Sequence, residues 1–408
     1  MKVSKTWLIL CFAMLFHIAS AQQKSPFKPQ KALLDNIQSN FKLADAQYKY
    51  MARLLQPEQF PKTFHPETGK TETSNSGWWC SGFYPGTLLK LYAQTHDEAL
   101  KVEADRIMAV LAKEQYNTHT HDLGFMMYCS FGTANQLEPK PEYKQILINS
   151  AKSLSTRFNP KVGCIKSWDS KPSDFLVIID NMMNLELLFW ATRETGDSSY
   201  YKIAVTHANT TIKNHYRADY SSYHVINYNA ETGAVQEKKT AQGFANESAW
   251  ARGQAWGLYG FTVMYRGTKD KKYLEQADHI AGFILNNPNL PADKIPYWDY
   301  NAPNIPNALR DASAAAITAS ALLELCRYSD KPSASKYFKA AESILIALSS
   351  KTYKALPQTN GGFILQHSVG HFPAGTEIDV PLTYADYYFV EAMERYKAFA
   401  GKMIGISN

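Results

Sequence analysis

The sequence predicts an all-α protein built as an (α/α)6 barrel of six helical hairpins. Three observations predict it. Amphipathic segments of helical period recur along the chain. Each is followed by a segment that is apolar or small on nearly every face. The pairs return at intervals of roughly 60 residues, the mark of stacked or ringed repeats. A helix with one polar face belongs on the outside, and a helix without one is covered on both sides. The simplest closure is an inner ring of six dry helices inside an outer ring of six wet ones.

The first wet helix covers residues 31–54, with Leu33, Ile37, Phe41, Ala44, Tyr48 and Met51 at helical spacing. The second covers residues 102–116, where Ile107, Val110 and Leu111 share one side. The other four begin near Glu142, Ser199, Lys271 and Ser333. Between them lie six segments opening with GFYPG (82–86), HDLGF (121–125), DNMMN (180–184), ARGQAWG (251–257), RDASAAA (310–316) and PLTYADYYF (381–389). The run ASAAAITASALLEL (312–325) shows the dry type. Strand signals are weak; Tyr223–Tyr228 followed by the turn residues Ala230–Gly233 predicts one hairpin.

Ahead of the barrel, Lys2 and Lys5 precede an apolar run from Trp7 to Ile18, and Ala19-Ser20-Ala21 follows. A charged start, a run too short for a bilayer and an A-x-A site predict a signal peptide over residues 1–21, cleaved after Ala21. Cys11 lies inside the apolar run rather than after it, which argues against a lipoprotein. The chain is then exported, to the periplasm of a bacterial host, and residues 22–408 form one catalytic domain. No later segment has the ~20 apolar residues of a membrane span. Removing the leader lowers the net charge from +6 to about +4. That suits an anionic substrate, while the lack of any basic block excludes a nucleic-acid surface. Cys80, Cys129, Cys164 and Cys326 remain, widely spaced and without a CxxC, and read as buried free thiols. Asn209-Thr210-Thr211 and Asn246-Glu247-Ser248 match glycosylation sequons.

In such a barrel all inner helices run the same way, so their N-termini, with unpaired N–H groups and positive dipole ends, gather at one mouth. Asp122 and Asp180 both open inner helices and so face that mouth. Either alone reads as a helix cap. As a pair they suit acid–base chemistry on a sugar, because two partly desolvated carboxylates raise each other's proton affinity and keep one protonated near neutrality. His119 and His121 at i, i+2 spacing make a weak metal motif, with no HExxH or cysteine cluster beside them. A histidine there orients the carboxylate or binds substrate instead, and the reading needs no metal or cofactor. Trp79, in a mouth loop, can stack on a sugar face; Trp256 either packs or does the same. Arg252 and Gln254 sit in the first turn of an inner helix. They suit a carboxylate and hydroxyls, or a structural pairing of Arg252 with Asp311.

Taken in order, WCSGFYPG, HDLGF, DNMMN, QGFANESAWARGQAWG and DASAAAI resemble the unsaturated glucuronyl hydrolases of glycoside hydrolase family 88 over nearly the whole mature chain. The resemblance implies an (α/α)6 barrel and an exo-acting enzyme. The substrate it implies is an oligosaccharide, released by a polysaccharide lyase, that ends in a 4,5-unsaturated uronic acid. It implies that Asp180 is the acid/base and Asp122 the second essential carboxylate, with Trp79, His224 and Gln254 on the substrate. His121, Arg252 and Trp256 complete the expected binding set. Rival readings are a hydrolase of unsaturated galacturonyl–rhamnose disaccharides, a polysaccharide lyase on a similar barrel, and a non-catalytic glycan-binding protein of the envelope. ARGQAWG in place of an RGNGW-like sequence favours the glucuronyl group.

Overall fold

A computed structural model describes residues 27–401. The expected leader, residues 1–21, lies outside them. The outer helices are α1 (Lys31–Leu54), α3 (Glu98–Leu111), α5 (Pro141–Ser155), α7 (Ser198–His215), α9 (Lys271–Asn286) and α11 (Lys331–Leu348). The inner ones are α2 (Phe83–Thr95), α4 (Thr133–Leu137), α6 (Leu185–Thr195), α8 (Ala251–Thr268), α10 (Ala312–Leu325) and α12 (Thr383–Ala398). Two inner helices start irregularly: a π-helical run, Gly124–Gly132, leads into α4, and a 3-10 segment, Ile179–Asn184, leads into α6. Alternation of wet and dry helices is the predicted order. Every residue of α10 is buried, whereas α9 buries one stripe that includes Tyr273, Ala277, Ile280 and Ile284.

The ring closes where the first helix meets the last. Asn40 of α1 donates to Ser349 at 2.8 Å, Tyr48 to Asp386 at 3.2 Å, and the Gln30 amide to the Tyr396 hydroxyl at 2.8 Å.

The two ends of the barrel are built differently. Inner-to-outer connections are tight, and three share a Thr-x-Asp sequence: Thr95-His96-Asp97, Thr195-Gly196-Asp197 and Thr268-Lys269-Asp270. The middle residue takes a positive φ of 57–74° and ends one helix, and the aspartate caps the next by accepting from Ala99, Ser199 or Lys272 at 2.8–3.1 Å.

Outer-to-inner connections are long and hold all the strands: β1 (Phe60–His65) with β2 (Lys70–Ser74), β3 (Phe158–Asn159) with β4 (Cys164–Ile165), the sheet β5 (Asp174–Ile178)–β6 (Val225–Asn229)–β7 (Val235–Lys239), and β8 (Ser368–His371) with β9 (Thr376–Val380). The expected hairpin is β6–β7, but β5 also joins it, and the other three pairs were not foreseen. They are short, and pairing is set locally by turns rather than by an alternating apolar pattern. Among the described residues Cys80, Cys129, Cys164 and Cys326 are unpaired, and no helix is long and apolar enough to cross a membrane.

Candidate active site

The long connections gather at the mouth, and Asp180 lies among them. It is the second residue of the 3-10 segment, directly after β5. The register that pairs Ile178 with Val225 puts His224 beside it, and the Ile179 amide donates to the His224 carbonyl at 3.0 Å. Asp180 is 8% exposed, and its Oδ2 has no hydrogen-bond partner. Burial raises its pKa to about 7; Arg252 opposes the rise, and the charge of Asp122 adds to it.

His224 has a defined tautomer. Its Nδ1 accepts from the backbone N–H groups of Ala241 and Gln242 at 3.1 and 3.2 Å, so in the neutral ring the proton is on Nε2. That Nε2 lies 3.8 Å from Asp180 Oδ2. Burial first, then Arg252, pushes the imidazole pKa well below its ordinary value, so His224 is a neutral donor. Its ring rests on Trp250, with centroids 4.4 Å apart, and meets the edge of Trp168.

Asp122 precedes the π-helical run. Neither it nor Asp180 caps a helix through its side chain: no side-chain cap is made at the start of either inner segment. The Asp122 carboxylate accepts from Thr120 at 3.3 Å and from Asn184 at 3.5 Å, and His121 Nε2 lies 3.4 Å away. Burial raises its pKa too, to about 7, against those two donors and Arg157. His121 is buried and depressed to about 3 by burial and then by Arg157; its Nδ1 is unpartnered. His119 is exposed.

The other expected residues divide into two kinds. Trp256 is fully buried against Phe125 and Tyr388, with an indole N–H that has no hydrogen-bond partner yet is near enough to Asp180 to temper its shift. Trp79 is half-buried on the aromatic wall, packed on Tyr384 and Phe125 at 4.9 and 5.6 Å. Arg252 and Gln254 are anchored in the framework. Arg252 donates to the carbonyls of Val369 and Gly370 at 2.5 and 2.6 Å and to Asp311 at 3.2 Å, leaving Nε without a partner. Gln254 accepts from the Ser222 amide at 2.8 Å and donates to the Trp250 and Ser222 carbonyls. It thereby holds the loop that delivers His224. Asn184, Trp168 and Tyr384 join the site without having been singled out. Asn184 had a signal in its spacing, one helical turn after Asp180.

Three buried donors without acceptors act on this site: His224 Nε2, 3.8 Å from Asp180 Oδ2, Trp256 Nε1, which tempers the shift of Asp180, and Arg252 Nε, on a guanidinium whose charge reaches that carboxyl. Buried polar atoms are almost always paired. A concentration of unpaired donors about one protonatable carboxylate is an arrangement for binding an oxygen-rich molecule and transferring a proton to it.

Comparison with known proteins agrees. The model of Glycosyl Hydrolase Family 88 matches residues 52–404. An unsaturated glucuronyl hydrolase of Formosa agariphila is 43% identical over 393 residues, 95% of this chain and 97% of that one. A solved unsaturated glucuronyl hydrolase specific for heparin is 48% identical, with a TM-score of 0.87 over 90% of this chain and 99% of its own. A mutant of the Streptococcus agalactiae unsaturated glucuronyl hydrolase, solved with dGlcA-GalNAc6S, is 27% identical with a TM-score of 0.78, over 91% and 93% of the two chains. The family pattern thus spans most of a chain whose described residues form a ring of paired helices, and this protein belongs to glycoside hydrolase family 88.

Proposed function

We propose that this enzyme removes the 4,5-unsaturated uronic acid from the non-reducing end of lyase-generated oligosaccharides of the glycosaminoglycan type. One observation carries the site assignment: the unpartnered Oδ2 of Asp180, on a carboxyl pushed up to about 7, with the unpartnered His224 Nε2 3.8 Å away. The C4=C5 bond of the substrate is a vinyl ether conjugated to a carboxylate. Asp180 donates its proton to C4, and water adds to C5 while returning a proton to Asp180. The resulting hemiketal opens, and the hemiacetal left at C1 expels the rest of the chain as an alcohol. The sum is one water consumed, with no glycosyl-enzyme intermediate, so the carboxylate spacing that separates retaining from inverting enzymes does not apply. Asp122 holds the second negative charge. His224 and Trp256 donate to the sugar oxygens, His121 and the framework pair Arg252 and Gln254 shape that cradle, and Trp79 forms the wall against which the ring packs.

Among parent polymers, the 48% identity to a heparin-specific relative favours an unsaturated heparin-type disaccharide over a chondroitin-type one. The test follows the near-ultraviolet absorbance of the conjugated acid on both, with a galacturonyl–rhamnose disaccharide as control. Absorbance should fall fastest on the heparin type. A rise would mark a lyase, no change a binding protein, and preference for the control the rival hydrolase. Export belongs to the same proposal: the leader pattern of residues 1–21 supports a mature chain starting at Gln22 in the periplasm. N-terminal sequencing of the protein from cells, after fractionation, checks it.

A further inference from the structure

Burial treats the two carboxylates alike, and both rise to about 7, so burial does not say which one holds the proton. Their hydrogen bonds differ. Asp122 has a donor at each oxygen, Asn184 Nδ2 at Oδ1 and the Thr120 hydroxyl at Oδ2. Asp180 Oδ2 has none within hydrogen-bonding geometry, although its own backbone amide and the Trp256 indole temper the rise of that carboxyl. Thr120 and His121 belong to Asp122's own segment, but Asn184 comes from the segment that bears Asp180. Its orientation is fixed. The Phe125 amide donates to Asn184 Oδ1 at 3.0 Å, so the other end of the side chain, facing Asp122, must be the NH2 group. The contact is close enough to require glycine at 124, where a Cβ would meet Asn184 Cα at 2.5 Å and Oδ1 at 2.7 Å. Asn184 itself is fully buried.

We propose that Asn184 is the positioning residue that makes the pair unequal, holding Asp122 as the ionised partner and leaving the proton on Asp180. This rests on the proposed role of Asp180 as proton donor and extends it. An NH2 group at that point only donates, and donation to a carboxylate favours its charged form. The ionised Asp122 in turn repels ionisation of Asp180. The other groups around the pair keep their state across the working range. Arg252 stays charged, its pKa raised by Tyr384, Asp311 and Asp180 against the effect of burial, while His121, His224 and Cys80 are held neutral by burial. The proton therefore moves between two carboxylates, and Asn184 biases where it sits.

The test is the pH dependence of kcat on an unsaturated disaccharide for Asn184→Ala and Asn184→Gln. Loss of the amide should move the acid limb up by about one pH unit, the worth of one hydrogen bond to a charged group. That is roughly a ten-fold loss at pH 5 with KM little changed. Asn184→Gln, which keeps an amide, should recover part of the shift. A profile for Asn184→Ala that superimposes on the unmodified enzyme overturns the inference. If that variant does not fold, a carboxyl-carbon NMR titration of the unmodified chain decides, with resonances assigned through Asp122→Asn and Asp180→Asn. Asp122 should lose its proton at the lower pH, and Asp180 losing its proton first overturns the proposal. Full activity of Asp180→Asn would instead overturn the acid/base reading itself, so the two failures are separable.

Discussion

Carboxylates buried to the same degree at the two ends of the barrel can be set in opposite states. At the mouth Asp122 and Asp180 are raised to about 7. Toward the C-terminal ends of the inner helices, Glu391 is equally buried yet held down at about 2, because Arg395 and Lys90 lie 3.6 Å away and Ser320 and Tyr259 donate to it at 2.5 and 2.9 Å. Arg395 also pairs with Glu324 at 3.1 Å, and Arg266 bridges Glu324 and Glu186. Depth therefore does not mark a proton donor; the partners do. Asp386 sharpens the point. It too is raised to about 7, but the amides of Ile364 and Leu365 and the Tyr48 hydroxyl occupy its oxygens, at 2.8–3.2 Å. Among these shifted carboxylates the unpaired Oδ2 of Asp180 is the one available to a substrate.

The contrast can be broken at either end. Asp180→Asn should lower kcat/KM by 10³-fold or more, within the range of a lost general acid, while the circular dichroism spectrum stays unchanged. Arg395→Met should do the reverse. By leaving Glu391 with Lys90 alone and Glu324 with Arg266 alone it should cost about 3 kcal/mol of stability in denaturant titration, with kcat/KM of the folded fraction within two-fold.

Stability as a function of pH separates the ends by sign. A raised carboxyl such as Asp180 costs nothing below its unfolded value near 3.8 and penalises the fold increasingly as pH rises to about 7. Asp180→Asn should therefore melt above the unmodified chain by several degrees at pH 8, and the gap should close as pH falls from 7 to 4. Glu391 is depressed, so its contribution is present above about 4.5 and lost as pH falls toward 2. Glu391→Gln should melt lower at neutrality, with that deficit fading over the acid window. The smallest effect belongs to the tight turns: Asp270→Ala removes one cap and should cost about 1 kcal/mol with no change in turnover.

The fold was legible because the inner helices are apolar or small on most faces while each outer one buries a single stripe. The two aspartates were legible for a related reason, since a carboxylate beside a dry segment needs an explanation. The reading stopped where function depends on the mouth loops. Nothing in the local sequence around His224 says that β5 and β6 register it against Asp180, and the resemblance alone singled it out. The use of Arg252 is a similar case: its pairing with Asp311 was foreseen, but its bonds to Val369 and Gly370 span more than a hundred residues. Asn184 was overlooked because asparagine in a helical start reads as a cap, and its real partner lies 62 positions earlier.

The seam between α1 and α12 has a consequence for how the molecule is made. Gln30, Asn40 and Tyr48 are among the earliest described residues to leave the ribosome, and although α2 packs beside α1 early, their hydrogen-bond partners Tyr396, Ser349 and Asp386 come more than three hundred positions later. A growing chain can stack its hairpins one by one into an open arc, but it cannot become a ring until the last one arrives. Early termination thus leaves an exposed greasy edge rather than a smaller working enzyme, and completion of synthesis and completion of folding become one event.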